Sequence, residues 1–256
     1  MKRILSALAI LFALTAVVQA SNIVIMTVAD PDNYDAPRTM REFAETALKP
    51  AGHRVTIIMG DQPEKHHFAG LTEALREADL LVLFSRRRFP PQAQMAAIRA
   101  HLAAGKPLLG IRTANHAFIP KPKEVVDPSL APWPEFTHEV LGGENTGYET
   151  KGLPYRVTVA AGAEGSALLA GVNVANILGH QSLYKVLPLA DHATPLLIGT
   201  AQAGATAPPQ PVAWTRHYGT RSARIFYTSL GAPEDMQIAD VQRLLMNGVT
   251  WTLVKD

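Results

Sequence analysis

GIRTANHAF, at positions 110–118, places Arg112, Thr113, Asn115 and His116 within five positions, directly after the apolar run KPLLGI. A guanidinium and an imidazole at the mouth of a buried strand suit recognition of oxygen-rich ligands and proton transfer. Gly110 and Ala114 flank Arg112 at the spacing of a nucleophile elbow, a strained strand-to-helix turn that projects its central side chain. A hydrolase has Ser or Cys at that centre. Arg112 cannot attack a carbonyl, and Thr113 has no obvious base beside it. His116 therefore reads either as an acid or base or as a residue packed within its own turn.

Two more segments carry unusual polar residues. ADPDNYDAPR (29–38) supplies Asp30, Asp32, Asn33, Tyr34 and Asp35 but lacks the glycine and closing Glu of a calcium-binding hand. Asp35 reads as a helix cap, whereas Asp30 and Asp32 stand where they can bond hydroxyls or neutralise an arginine. SRRRFPP (85–91) holds Arg86, Arg87 and Arg88. In an extended segment Arg86 and Arg88 share one face and Arg87 points away. A guanidinium fork suits a carboxylate, a phosphate or vicinal oxygens; the alternative is a solvated charged patch. His138 (in FTHEVLGG), His180 and Tyr184 (both in GHQSLYKV) can reach such a site from the second half, with Glu144 a weaker candidate. His66-His67 are adjacent, so their side chains diverge, and no H-x-x-E-H or H-E-x-x-H pattern occurs. Neither a metal nor another cofactor is expected.

The elements that must position these residues follow from periodicity. Residues 22–28 (NIVIMTV), 54–59, 80–84 (LLVLF) and 107–111 are apolar or β-branched runs and predict strands. Between them lie helical patterns: Met40, Phe43, Ala44, Ala47 and Leu48 form one stripe, a short helix spans 71–78, and Met95, Ile98 and Leu102 form another, ended by Gly105. Continuous apolar strands alternating with amphipathic helices predict a mostly parallel sheet covered on both faces. The second half is strand-rich, with predicted strands at 155–159, 196–200, 212–215 and 224–230, a loop at 199–211, and a final helix through Ile238, Val241, Leu245 and Val249. The predicted architecture is a single flavodoxin-like three-layer α/β/α sandwich with a β-rich C-terminal half. In such a sheet, ordered 2-1-3-4-5, the loops after the first, third and fourth strands meet at the switch point, where ligands bind. Those loops are the three polar segments above.

Lys2 and Arg3 followed by the apolar run 4–18 and Ala20 have the form of a signal peptide over residues 1–20, with the domain at 21–256. Export to the periplasm or beyond is the expectation, since the run is short of the ~20 residues of a span. Removing Lys2 and Arg3 from the 24 Lys+Arg leaves 22, equal to the 22 Asp+Glu. A neutral mature chain argues against nucleic acid or a membrane surface as partner. With no cysteine there is no disulfide, thiolate nucleophile or Cys-ligated zinc.

GKPLLGIRTANHAF, PVAWTRHYGTRSARIFYTSLGAPEDM and VQRLLMNGVTWTL resemble the trehalose-utilization (ThuA-like) domain, with looser matches at FTHEVLGGENTGYE and QSLYKV. The resemblance covers most of 22–254. It implies a class I glutamine-amidotransferase-like fold and an association with carbohydrate metabolism, particularly disaccharides and their 3-keto derivatives. Amidotransferases carry Cys at the elbow where this chain has Arg112, so glutaminase activity is not expected. Many ThuA-like members carry His at the elbow and a Gly-His pair after the late strand; here those positions are Arg112 and Ala232. The expected function is binding and processing of a small sugar or keto-sugar, with Arg112, His116 and Asp30 catalytic. Expected ligand contacts are Asp32, Tyr34, Arg86, Arg88, Thr113, Asn115, His138 and Tyr184. The alternative is a non-catalytic carbohydrate-binding or scaffold domain.

Overall fold

The computed structural model describes residues 20–150, 152–202 and 207–254; the expected signal peptide lies almost wholly outside them. Nine strands form one sheet in the order β2-β1-β3-β4-β9-β8-β7-β5-β6. β1 (Asn22–Thr27), β2 (Arg54–Met59), β3 (Leu80–Phe84) and β4 (Leu108–Ile111) run parallel, as does β9 (Ala223–Thr228) beside β4. Alternate residues of each strand serve opposite cores. Ile23, Ile25, Val82, Phe84, Leu109 and Ile111 bury against α1 (Ala36–Phe43) and α4 (Ala239–Leu253). Val24, Met26, Leu81, Leu83 and Leu108 bury against α2 (Leu71–Glu77) and α3 (Gln92–Ala103). Each such side chain is worth about 1.5–3 kcal/mol on burial, which is why these strands read as unbroken apolar runs.

The mostly parallel sheet expected from the sequence is not what forms. β5 (Tyr155–Val159), β6 (Leu178–Gly179), β7 (Thr194–Ala201) and β8 (Gln210–Tyr218) pair antiparallel with one another and with β9. The cause is connection length. Only residues 219–222 join β8 to β9, and a parallel return needs a crossover of a dozen residues or more. The hairpin sets β9 against β4 and so adds a fifth parallel strand end to the site's edge. The predicted loop at 199–211 is also shorter than expected, because β7 extends to Ala201 and β8 begins at Gln210.

Two glycines are required by close approach. A Cβ on Gly179 would stand 2.1 Å from the ring of Tyr155. Gly231, at φ +148°, leaves no room for a Cβ beside Ile111. The first lets Tyr155 lie flat across the sheet; the second turns the chain sharply after β9.

Candidate functional site

One buried amide gathers the strand ends. Asn33 Nδ2 donates to the Val28 carbonyl just past β1 (3.0 Å) and to the Phe84 carbonyl at the end of β3 (3.1 Å). Its Oδ1 accepts from the Thr113 hydroxyl after β4 (2.6 Å). The three segments singled out in the sequence therefore meet at one point, and Thr113 acts there as a tie.

Arg112 follows extended Ile111 with φ +42°, a left-handed conformation unusual for a side-chain-bearing residue, and a 3-10 turn runs on through His116. The elbow geometry is present, but its side chain is fully buried. Arg112 Nη1 donates to the Ser229 carbonyl at 2.7 Å and Nη2 to the Ser182 carbonyl at 3.5 Å, while Nε has no partner. The guanidinium carbon lies 4.0 Å from the Tyr34 ring centroid and 4.9 Å from that of Tyr184. Tyr227 OH donates to the Arg112 carbonyl at 2.8 Å and fixes the turn. Among the described residues, no carboxylate oxygen lies within the 4.0 Å ion-pair distance of this guanidinium. Burial works against its charge, but the phenol oxygens of Tyr184, Tyr155 and Tyr34 outweigh burial, so its pKa is raised and the group stays cationic. Burial also raises the phenol pKa values of Tyr155 and Tyr184, so both are neutral donors. The buried Tyr155 OH, Ser229 Oγ and Arg112 Nε lie together beneath the turn, with Tyr155 facing both Ser229 and Arg112.

His116 is electrostatically constrained. Burial, then Arg87, Arg86 and Arg112, push its pKa down to about 3, so the imidazole is neutral in ordinary solution. Asn115 Nδ2 donates to the Glu144 carbonyl (2.9 Å), which turns Asn115 Oδ1 toward His116 Nδ1 at 3.2 Å. The proton therefore sits on Nδ1, and Nε2 carries a free lone pair.

The remaining expected residues divide between two roles. Asp30 takes Arg86 Nη1 (3.3 Å) and Arg88 Nη2 (3.1 Å), Asp32 takes Arg86 Nη1 (2.7 Å), and Asp61 takes Arg88 Nε (2.7 Å). Burial alone would raise Asp30, but the Asp32 N–H, Arg88 and Arg86 hold it below the usual carboxylate range. Asp30 is thus a fixed counter-ion, and Arg86 and Arg88 are matched by carboxylates. His138 is exposed and bonds Glu144 Oε1 through Nδ1 at 2.7 Å. Asp35 occupies the first cap of α1 without capping it; its carboxylate binds Arg38 instead.

His180 pairs with a residue that the sequence pattern does not single out. Asp235 is fully buried and accepts four N–H groups: Gly231 and Ala232 on Oδ2, His180 N and His180 Nδ1 on Oδ1. His180 Nδ1 thus carries the proton, and Nε2 is the accepting nitrogen of a ring about one-third exposed, at 34%. The signal was Asp235 itself, seven residues beyond the end of β9, a strand that joins the parallel edge.

The site is closed over by Tyr34 and Tyr184. Two surface hollows, of about 410 and 240 Å³, lie elsewhere, between α2 and α3 and beside Met95, Arg99 and Leu130. Among the described residues no cluster of three His, Cys, Asp or Glu can hold a metal ion, and no helix is long and apolar enough to cross a membrane.

The model of the trehalose utilisation family, ThuA, matches residues 32–252, nearly the whole domain. This chain belongs to the ThuA family. Of solved structures, a protein described as ThuA-like from Bacteroides uniformis superposes with TM-score 0.68 at 14% identity, covering 93% of this chain and 94% of that one. A second, from Parabacteroides merdae, gives 0.65 at 16% identity, with 92% and 91% covered. No protein of curated function matches the sequence. At these identities the likeness shows a shared ThuA fold, and the family places the chain in carbohydrate utilisation.

Proposed function

We propose that this ThuA-family chain is an exported protein that binds a sugar or keto-sugar at the C-terminal edge of its parallel strands and transfers a proton on it. The observation that carries the reading is Arg112, a buried guanidinium held by two backbone carbonyls and two aromatic faces, with no carboxylate partner among the described residues. Burying an unmatched cation costs several kcal/mol, a cost offset when an oxyanion forms beside it. Export is supported by the basic start at Lys2 and Arg3 and the apolar run 4–18.

A keto-sugar suits these groups. Its carbonyl oxygen takes the place of the half-buried Tyr34 ring over Arg112, so Tyr34 must turn aside from its contacts with Arg112 and Tyr184. His180 Nε2 removes the proton from the carbon beside the carbonyl, and the C–H electrons pass into an enediolate whose negative oxygen rests on Arg112. Asp235 holds the imidazole through Nδ1 and stabilises the imidazolium. This gives the proton step to His180 and Asp235 in place of Asp30. His116 Nε2 accepts a sugar hydroxyl. A non-catalytic sugar-binding module is the second reading, favoured by the ion pairs that tie up Asp30 and Asp32.

The test is exchange of the hydrogens flanking the carbonyl of a 3-keto-disaccharide in deuterium oxide. The full chain should speed deuterium incorporation well above the rate without protein, and His180→Ala should remove most of that gain while still binding the sugar. Binding by the parent protein without any exchange would leave the non-catalytic reading instead.

A further inference from the structure

Four arginines stand at the ends of β3 and β4, and they divide two and two. Arg86 and Arg88 are matched by Asp30, Asp32 and Asp61. Arg87 and Arg112 have no carboxylate within ion-pair distance among the described residues. The same two are the arginines held in left-handed backbone, at φ +41° and +42°. Strain of this kind costs about 1–3 kcal/mol per residue and persists where the surrounding fold over-determines it. At Arg87 it turns the side chain away from the aspartates of its neighbours, so that Nη1 donates to the Ile119 carbonyl at 2.7 Å. The backbone N–H of Arg87 meets the His116 carbonyl at 3.4 Å, which brings this arginine beside the imidazole and the Tyr184 ring, 5.9 Å from each other. The charge of Glu124 reaches Arg87, but Glu124 is exposed and accepts the Lys121 N–H.

In the reaction proposed above, Arg112 answers the oxyanion that develops during proton transfer. Arg87 then has no developing charge left to meet. From this division we infer that the ligand carries a permanent carboxylate, seated on Arg87, and is therefore a sugar acid rather than a neutral sugar. This rests on the sugar-binding reading and narrows its substrate class. A guanidinium with one donor anchored on a carbonyl keeps a free edge for a two-point bond to a planar carboxylate. A sugar acid also has a hydroxyl close to its carboxylate, and the His116 Nε2 lone pair is the acceptor for it. An arginine keeps its charge at neutral pH, and Arg87 is half-buried, so an arriving carboxylate meets a partly dehydrated cation.

Isothermal titration of the full chain with D-glucuronate, D-gluconate, D-glucose, D-glucose 6-phosphate and a neutral 3-keto-disaccharide, each on the parent protein and on Arg87→Met, tests it. The expected result is that at least one sugar acid binds about tenfold or more tighter than glucose, and that Arg87→Met removes this preference. Equal affinity for acid and glucose, or an acid preference that survives in Arg87→Met, would overturn the inference. Preference for the phosphate would overturn the carboxylate assignment. Binding of a neutral 3-keto-disaccharide with no acid bound would end this inference and leave the sugar-binding reading standing; silence toward every probe would end both. The comparison of ligands on the parent protein keeps the test decisive should Arg87→Met fold poorly.

Discussion

Asn33→Ala is expected to lower the unfolding free energy by roughly 3–5 kcal/mol, because it strands two carbonyls and a hydroxyl that its buried amide now satisfies, each worth about 1–3 kcal/mol. These partners lie on the chain leaving three different strands, so the loss falls on the junction that assembles the site. Asn33→Asp is a sharper variant. Its carboxylate still accepts from Thr113 but meets the Val28 and Phe84 carbonyls with oxygens instead of N–H groups. It should be at least as destabilising at neutral pH, although it is nearly isosteric. Chemical denaturation measures both. A loss below about 1 kcal/mol for either variant would show that the three loops hold together without this amide.

The second large effect is expected at Gly179. A methyl group there would stand 2.1 Å from Tyr155 Cζ, and the ring cannot retreat because it is fully buried and Gly199 closes on it from β7. Gly179→Ala should therefore cost about 3 kcal/mol or more, at the upper end of what overpacking a core costs. Tyr155→Ala removes the obstacle, so adding Gly179→Ala to it should cost little further, a non-additivity that unfolding curves of the four proteins reveal. Additive losses would mean that the ring and the glycine do not meet. The ring matters beyond packing, because it aims the Tyr155 hydroxyl toward Ser229 and Arg112.

The parallel half of the sheet was legible because both its faces are buried. That burial makes 22–28 and 80–84 continuous apolar runs, and β1 and β3 fall on them within a residue. The elbow was legible too, since Gly110 and Ala114 flank a residue that does take φ +42°. Pairing in the second half was harder to read, because alternation at 155–159 marks a strand but not its direction. The short link at 219–222 carried that information. The charges were least legible of all. Asp61, after β2, takes Arg88 from outside the three loops, and His180 meets Asp235 across 55 residues of sequence. Neither pairing has a local pattern; both follow only from strand order. Arg86 and Arg88 do meet the aspartates and Arg87 does not, but the segment is not extended as expected: the left-handed turn at Arg87, φ +41°, separates them.

In the proposed function Arg112 is the group that receives the ligand's oxygen. Calorimetric titration of a 3-keto-disaccharide into the full chain and into Arg112→Lys tests this most directly, since lysine keeps the charge and loses the planar fork. The expected result is a folded variant whose affinity is weaker by about tenfold or more. Undiminished affinity in a folded Arg112→Lys protein would contradict it and leave Arg112 a structural residue of the turn.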